Sequence, residues 1–318
     1  MSGILVTVAS KTREAEDIVS FELVGQGGAA LPPFSAGAHI DVKVNERITR
    51  QYSLCNSPSE PDRYVIGVLK DPNSRGGSSA MHADVKEGDT LEISAPKNHF
   101  PLEPAPHTLL LAGGIGVTPI LCMAERLAET GAPFRMHYCT RGRDRTAFYE
   151  RIAGSSYAAQ VDFHFDDGAP EQKLDLAAVL RASPAGTHLY VCGPGGFIDH
   201  VKNTARELGW AGERVHVEYF GASPEVLADG EPFQVKIAST GACHAVPADR
   251  TVVQVLHEAG IQVPVSCEQG VCGTCITRVL EGTPDHRDLY FTDQERAAND
   301  QFTPCCSRAK TPLLVLDL

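Results

Sequence analysis

Long uninterrupted apolar runs are missing from the 318 residues. The most apolar stretch, Thr108 to Ala124, is broken by Gly113, Gly114, Gly116 and Pro119, so it lacks the roughly 20 consecutive apolar residues that a bilayer crossing needs. No membrane span is expected. Neither a basic n-region nor an apolar h-region precedes the alternating segment Ile4-Leu5-Val6-Thr7-Val8, so no export signal is expected and a cytoplasmic location is. Positive charge is in short supply: 28 Lys and Arg face 40 Asp and Glu, for a formal net charge of −12. That balance argues against nucleic acid, whose phosphates demand a basic patch. Ten cysteines are too sparse for a disulfide framework in a chain of this length. Because four of them share one C-terminal pattern, a metal site in a reducing compartment fits better. No internal repeat or low-complexity tract is present, and the partner is expected to be a protein or a small molecule.

What is present divides into modules. A chain with 42% hydrophobic and 21% charged residues is globular, and at roughly 100–200 residues per domain it holds two or three. Residues 1–103 contain short alternating segments, such as Ile40 to Val44 and Tyr64 to Leu69, separated by Gly, Pro and Asn. This pattern predicts an antiparallel β-barrel. In residues 104–222 the apolar runs Thr108 to Ala112, Phe134 to Cys139 and His188 to Cys192 alternate with helical patterns over Pro119 to Glu129, Asp175 to Ala182 and Gly196 to Leu208. Such alternation predicts an α/β doubly wound parallel sheet. Residues 223–232 have the Gly, Pro and Ser content of a linker. Residues 233–318 open with a strand, Phe233 to Ala238, pass through a helix near Val252 to Ala259, and enter a cysteine-rich loop.

Cys267, Cys272 and Cys275 form CxxxxCxxC, and Cys305 follows after 29 residues, the ligand order of a plant-type [2Fe–2S] ferredoxin. The intervening glycines allow backbone N–H groups to approach the sulfides and tune the reduction potential. Zinc is the alternative reading, but it usually recruits two separate cysteine pairs, whereas here three ligands crowd one loop. A Rieske centre is excluded because no CxH with a later CxxH occurs. Cys306 competes with Cys305 for the fourth position, and the spacing favours Cys305.

Further motifs appear in a fixed order. Arg50-Gln51-Tyr52-Ser53 resembles the RxYS flavin motif of the ferredoxin–NADP reductase superfamily, in which the arginine pairs with phosphate, the tyrosine ring packs on the isoalloxazine, and the serine donates a hydrogen bond near flavin N5. The alternative is a salt-bridged surface strand. Arg75-Gly76-Gly77-Ser78 precedes a helix-compatible stretch, where free N–H groups hold a phosphate; a Gly/Ser turn is the plainer reading. The segment Gly113-Gly114-Ile115-Gly116-Val117-Thr118, at a strand–turn–helix junction, resembles the superfamily's nicotinamide pyrophosphate loop and is not the Rossmann GxGxxG. Cys192-Gly193-Pro194 resembles its second cofactor loop, with Cys192 near the hydride path or simply packing a strand end.

Together, a flavin barrel, a nicotinamide domain and a C-terminal plant-type ferredoxin of β-grasp type resemble the phthalate dioxygenase reductase family, which includes the reductase components of vanillate O-demethylases. The resemblance covers nearly the whole chain. It implies FMN, in line with a compact phosphate turn and no evident adenine-binding extension, and it implies NADH. Arginines at 141 and 143 raise NADPH as the alternative, because an arginine here meets a 2′-phosphate, and are read as ribose or adenine-edge contacts. It also implies a flavin surrounded by Arg50, Gln51, Tyr52, Ser53, Gly67, Val68 and the Arg75 to Ser78 turn. Ser53, Cys192 and Phe220 are the implied catalytic positions, with Phe220, in His216-Val-Glu-Tyr-Phe220, shielding the flavin face. The implied reaction passes electrons from NADH to FMN, then to the cluster, then to a Rieske-type oxygenase acting in aromatic demethylation or hydroxylation. Flavin is required because hydride carries two electrons and the cluster accepts one. A haem or flavin acceptor, or a non-enzymatic redox sensor or zinc-stapled interaction protein, are the rival functions. Nothing demands a dimer. From residue 226 onward, 12 acidic and 7 basic side chains suggest docking on a basic patch of the partner or an ordinary acidic surface.

Overall fold

A computed structural model describes residues 3–45, 48–72, 76–221 and 230–318. The chain divides into two compact units, Met1–Phe220 and Gly221–Leu318. Arg75 of the glycine turn and most of the expected linker lie outside the described residues.

The first unit begins with a six-stranded antiparallel sheet made of β1 (Ile4–Ala15), β2 (Ile18–Gly25), β3 (His39–Asn45), β4 (Ile48–Ser53), β5 (Arg63–Leu69) and β6 (Thr90–Ile93). Its order is β4-β3-β6-β1-β2-β5, and a bridge between Leu54 and Ile66 joins the two outer strands and closes the barrel. Side chains two apart share a strand face. Accordingly Val6 and Val8, Ile40 and Val42, and Tyr64, Ile66 and Val68 meet in one core. The helix α1 (Gly77–Ala83) contributes Met81 to it.

Five parallel strands follow: β7 (Thr108–Gly113), β8 (Phe134–Thr140), β9 (Val161–Phe165), β10 (His188–Cys192) and β11 (Val215–Glu218). All six residues of β7 are buried. Leu110 and Ala112 pack with α2 (Val117–Thr130), whereas Leu109 and Leu111 pack with the helices over Leu176–Ala182 and Gly195–Glu207. Burial on both faces explains why this strand is continuously apolar instead of alternating. The order β11-β10-β7-β8-β9 reverses direction between β7 and β10. A doubly wound sheet binds its cofactor at this switch point, and both expected nicotinamide loops leave from these two strand ends.

The second unit has the β-grasp form expected of a plant-type ferredoxin. Its mixed sheet contains Phe233–Ile237, paired in parallel with Leu313–Leu316 and antiparallel with Cys243–Val246. A helix over Val252–Glu258, opened by a reciprocal capping box between Thr251 and Gln254, lays Val252, Val253 and Leu256 on that core.

Glycine is obligatory where these elements meet most closely. A Cβ at Gly116 would collide with the Cys192 carbonyl, a backbone atom that cannot turn aside, whereas a Cβ at Gly195 would meet nothing. Gly116→Ala is expected to lose about 1–3 kcal/mol by overpacking, or about 2–4 °C of melting temperature per kcal/mol in a domain this size. Gly195→Ala should melt like the parent, and thermal unfolding of the pair checks the contrast.

Candidate functional site

Strand β4 presents the RxYS residues in two directions. Arg50 lies along α1, where its Cγ and Nε stand 2.7 and 2.8 Å from the place of a Cβ at Gly77. Only glycine lets the helix start so close to the guanidinium. Gly76 before it takes a left-handed φ of 95°, and the Ser78 hydroxyl accepts from the Asp71 N–H at 3.2 Å. Arg50 and the start of α1 thus form a compact cradle for a terminal phosphate. Tyr52 packs on the barrel core, and its buried hydroxyl has no hydrogen-bond partner among the described residues, with burial pushing its pKa up. An aromatic face with an unanswered hydroxyl beside a phosphate cradle fits FMN. Gln51 points to the other face, donating to Asp41 Oδ1 at 2.9 Å, and Asp41 is paired with Lys97 at 2.6 Å.

Two neighbouring positions have packing roles. Gly67 is bare because the Thr118 methyl stands 2.8 Å from its absent Cβ, so it seats β5 on the start of α2. Val68 buries its side chain in the barrel core, and its carbonyl accepts from His82 at 2.9 Å.

At the switch point Gly113 and Gly193 lie against each other, with the Gly113 Cα 2.9 Å from the place of a Cβ at Gly193. Pro194 and Phe197 close the other side of Gly113. Gly114, at a φ of 53°, opens on free space at the start of α2. The buried Thr118 hydroxyl returns to the Ile115 carbonyl at 3.1 Å and holds the turn. An open glycine turn leading into a 14-residue helix fits the pyrophosphate of NADH. After β8, Arg143 pairs with Glu150 at 3.2 Å and lies over the Tyr149 ring, and the carboxylates of Asp144 and Asp167 flank Gly142.

Cys192, fully buried, ends β10, where its backbone is in register with Glu218 of β11. Burial raises its thiol pKa, and the nearby Glu218 adds to the rise. Ser53 comes to the same place from the barrel, its hydroxyl 3.5 Å from Glu218 Oε2. Glu218 is half-buried by surface area, yet the protein packed around its carboxyl pushes its pKa up to about 8, with the Ser53 hydroxyl opposing the rise. The fold therefore brings Ser53 and Cys192 together around the Glu218 carboxyl. No pattern marks Glu218, because its environment comes from a strand 165 residues away. Phe220, 39% exposed, stands two residues beyond it.

In the second unit Cys267, Cys272, Cys275 and Cys305 are all buried. Their thiols form a string of contacts from Cys272 to Cys267, to Cys305, to Cys275. Among the described residues no three His, Cys, Asp or Glu side chains gather on one metal-ion position. A string of thiols suits a binuclear cluster, which divides its ligands between two irons. Cys267 is held far below the ordinary thiol range by hydrogen bonds from Cys272 and Cys305, helped by backbone N–H groups of Gln269 and Val271. Left-handed backbone at Glu268, Gly270 and Gly273 curls the loop so that those N–H groups point inward. Cys306 also touches Cys305, but its sulfur lies 3.2 Å from the Thr303 hydroxyl and fills the space behind Gly270.

Residues 235–310 match the family model of the 2Fe-2S iron-sulfur cluster binding domain, and residues 98–215 match that of the N-terminal domain of dimethylamine monooxygenase subunit DmmA-like proteins. The chain is 57% identical over 314 residues to the vanillate O-demethylase oxidoreductase of a Pseudomonas species, covering 98% of this chain and 99% of that protein. It is 42% identical over 313 residues to the phthalate dioxygenase reductase of Burkholderia cepacia, covering 98% and 96%. The solved structure of phthalate dioxygenase reductase, described as modular for electron transfer from pyridine nucleotides to [2Fe–2S], superposes with a TM-score of 0.81 at 42% identity, covering 99% of this chain and 98% of that one. These likenesses support the reductase reading and give none to the redox-sensor or zinc-stapled alternatives. The chain belongs to the phthalate dioxygenase reductase family and is an NADH-dependent flavin iron–sulfur oxidoreductase whose cofactors are FMN, NADH and a [2Fe–2S] cluster.

Proposed function

We propose that this chain is the reductase component of a Rieske-type oxygenase or O-demethylase acting on an aromatic acid, and that it works in the cytoplasm as a monomer. The observation that carries this reading is identity of 57% along essentially the full length of a vanillate O-demethylase oxidoreductase. We assign residues 1–103 to the FMN barrel, 104–222 to the nicotinamide domain, 223–232 to the linker and 233–318 to the ferredoxin domain. Purified chain supplied with NADH and candidate oxygenases tests the reading. Turnover of a methoxylated or carboxylated aromatic is the expected result, and turnover only with a haem or flavin acceptor contradicts it.

Bound flavin would supply the chemistry of accepting one hydride, with its two electrons, from NADH and releasing those electrons singly. The protein's own groups bind, orient and exclude water. Arg50 and the turn at Arg75, Gly76, Gly77 and Ser78 hold the phosphate, and Tyr52 lies against the ring. The glycine loops at 113–116 and 193–194 admit the dinucleotide backbone, and Phe220 covers the flavin face. Ser53 and Glu218 stand together where the hydride arrives, and because a carboxyl with a pKa near 8 keeps its proton at neutral pH, Glu218 adds no negative charge to oppose that arrival. Arg141 and Arg143 contact the ribose or the adenine edge.

Sign and window follow from Glu218. Its folded pKa, about 8, lies above the ordinary 4.5, so the native state holds the extra proton between these values. Stability from this group is present at low pH and is lost as pH rises from about 4.5 through 8. The rate of flavin reduction by NADH should likewise fall as pH rises through about 8 in the parent, and Glu218→Gln should flatten that limb. Stopped-flow pH profiles of the two check it, and an unchanged limb in the variant rejects a role for the charge of Glu218.

Cys305→Ser should strip the cluster's visible absorbance and its iron while flavin reduction by NADH persists. Cys306→Ser should keep both, and iron and sulfide analysis separates the two. The acidic balance of the linker end and ferredoxin domain, 12 acidic to 7 basic side chains from residue 226 onward, suits a basic surface on the oxygenase. Cluster-to-oxygenase electron transfer should therefore slow as salt rises, and a salt-independent rate rejects electrostatic docking.

A further inference from the structure

Away from the thiols themselves, one carboxylate among the described residues of the second unit has almost no access to water. Asp288, 3% exposed, sits in the loop between the third and fourth cysteines. Its Oδ2 accepts from the N–H groups of Tyr290 and Phe291 at 3.1 and 2.8 Å, which shapes residues 288–291 into a tight turn. Its Oδ1 faces the Ser307 hydroxyl at 3.5 Å and His286 Nδ1 at 3.4 Å. Arg296 stands 3.7 Å from the carboxylate and donates to the Asp288 carbonyl at 2.5 Å. Two backbone N–H groups thus answer one oxygen, and Ser307, His286 and Arg296 surround the rest of this buried carboxylate.

The segments it joins are the two that carry the cysteines. On one side, the turn it shapes is bonded to the three-cysteine loop, with the Leu289 N–H donating to the Gly270 carbonyl at 2.9 Å. The Tyr290 ring occupies the space where a side chain at Gly273 would be, and the Asp288 Cα lies 2.9 Å from the place of a Cβ at Gly270. On the other side, Ser307 ends the turn that contains Cys305. Its hydroxyl lies 2.9 Å from that of Thr303, and its N–H donates to the Thr303 carbonyl at 2.9 Å.

We propose that Asp288 is a positioning residue for the [2Fe–2S] cluster, its buried carboxylate clamping the Cys305 turn to the Cys267–Cys275 loop and adding negative charge behind them. The inference rests on the cluster reading of the four cysteines. Groups beyond the direct ligands orient those ligands, and nearby charge sets the potential.

The test uses the full chain with its cofactors. Asp288→Asn keeps the shape, removes the charge and replaces one accepting oxygen with a donor. The cluster's reduction potential should shift positive, and its loss to a chelator, followed by visible absorbance, should quicken by about tenfold. Anaerobic bleaching of the flavin by NADH should be unchanged, since that chemistry belongs to the first unit. An unchanged potential overturns the proposal, whatever the chelator shows. Should the variant yield no folded second unit, Ser307→Ala decides, because it removes the hydroxyl that faces Asp288 Oδ1 at 3.5 Å and accepts from the Arg287 N–H at 3.1 Å. Faster cluster loss then supports the clamp, and parental lifetime overturns it. Iron and sulfide content of the unaltered chain reports separately on whether the cysteines hold a cluster at all.

Discussion

The Cys192 carbonyl fills the space that a side chain at position 116 would need, and the organisation of the first unit follows from that backbone contact. It sets the start of α2 against the end of β10, at the point where the order of the parallel sheet reverses. The mutual approach of Gly113 and Gly193 repeats the device one turn away. With these loops in place, Cys192 lies beside Glu218, and the packing of Thr118 on Gly67 brings the barrel close enough for Ser53 to reach the same carboxyl. Larger residues at these glycines would separate Ser53, Cys192 and Glu218.

The two units solve different physical problems. Hydride exchange needs open backbone for a charged dinucleotide and little opposing negative charge, and the first unit offers glycine turns and a carboxyl whose pKa is pushed up to about 8. Single-electron storage needs ionised sulfur in a dry setting. The second unit gathers four buried cysteines for it, with the Gln269 N–H donating to the Cys267 sulfur at 3.3 Å and a buried carboxylate behind them. In both, a group whose charge is unwelcome in bulk apolar surroundings is controlled by its immediate hydrogen-bond partners.

Much of this was legible in the sequence because it was local. The continuous apolar run at Thr108 announces a strand covered on both faces, and His188–Cys192 and the start of the strand at Phe233 coincide with their sequence patterns to the residue. The spacing of Cys267, Cys272, Cys275 and Cys305 names a cluster before any coordinates exist. Gly67 was less legible, since its bareness answers to Thr118 rather than to a cofactor contact seen in the strand itself. Glu218 and Asp288 escaped notice for the same reason in stronger form. Each is an ordinary acid in an ordinary stretch, and only residues distant in the chain, Ser53 for one and Ser307 for the other, make it unusual. Periodicity and spacing report what a segment does to its neighbours in sequence; burial of a lone polar group is a property of the assembled fold.

The central claim is that one chain receives electrons in pairs and stores them singly. Anaerobic titration of the purified protein with NADH, followed by visible absorption and by electron paramagnetic resonance, addresses it most directly. The account predicts bleaching of both flavin and iron–sulfur absorbance, with a paramagnetic signal from the reduced cluster. A colourless, zinc-containing protein, or a flavin that bleaches while the cluster stays oxidised, would contradict it.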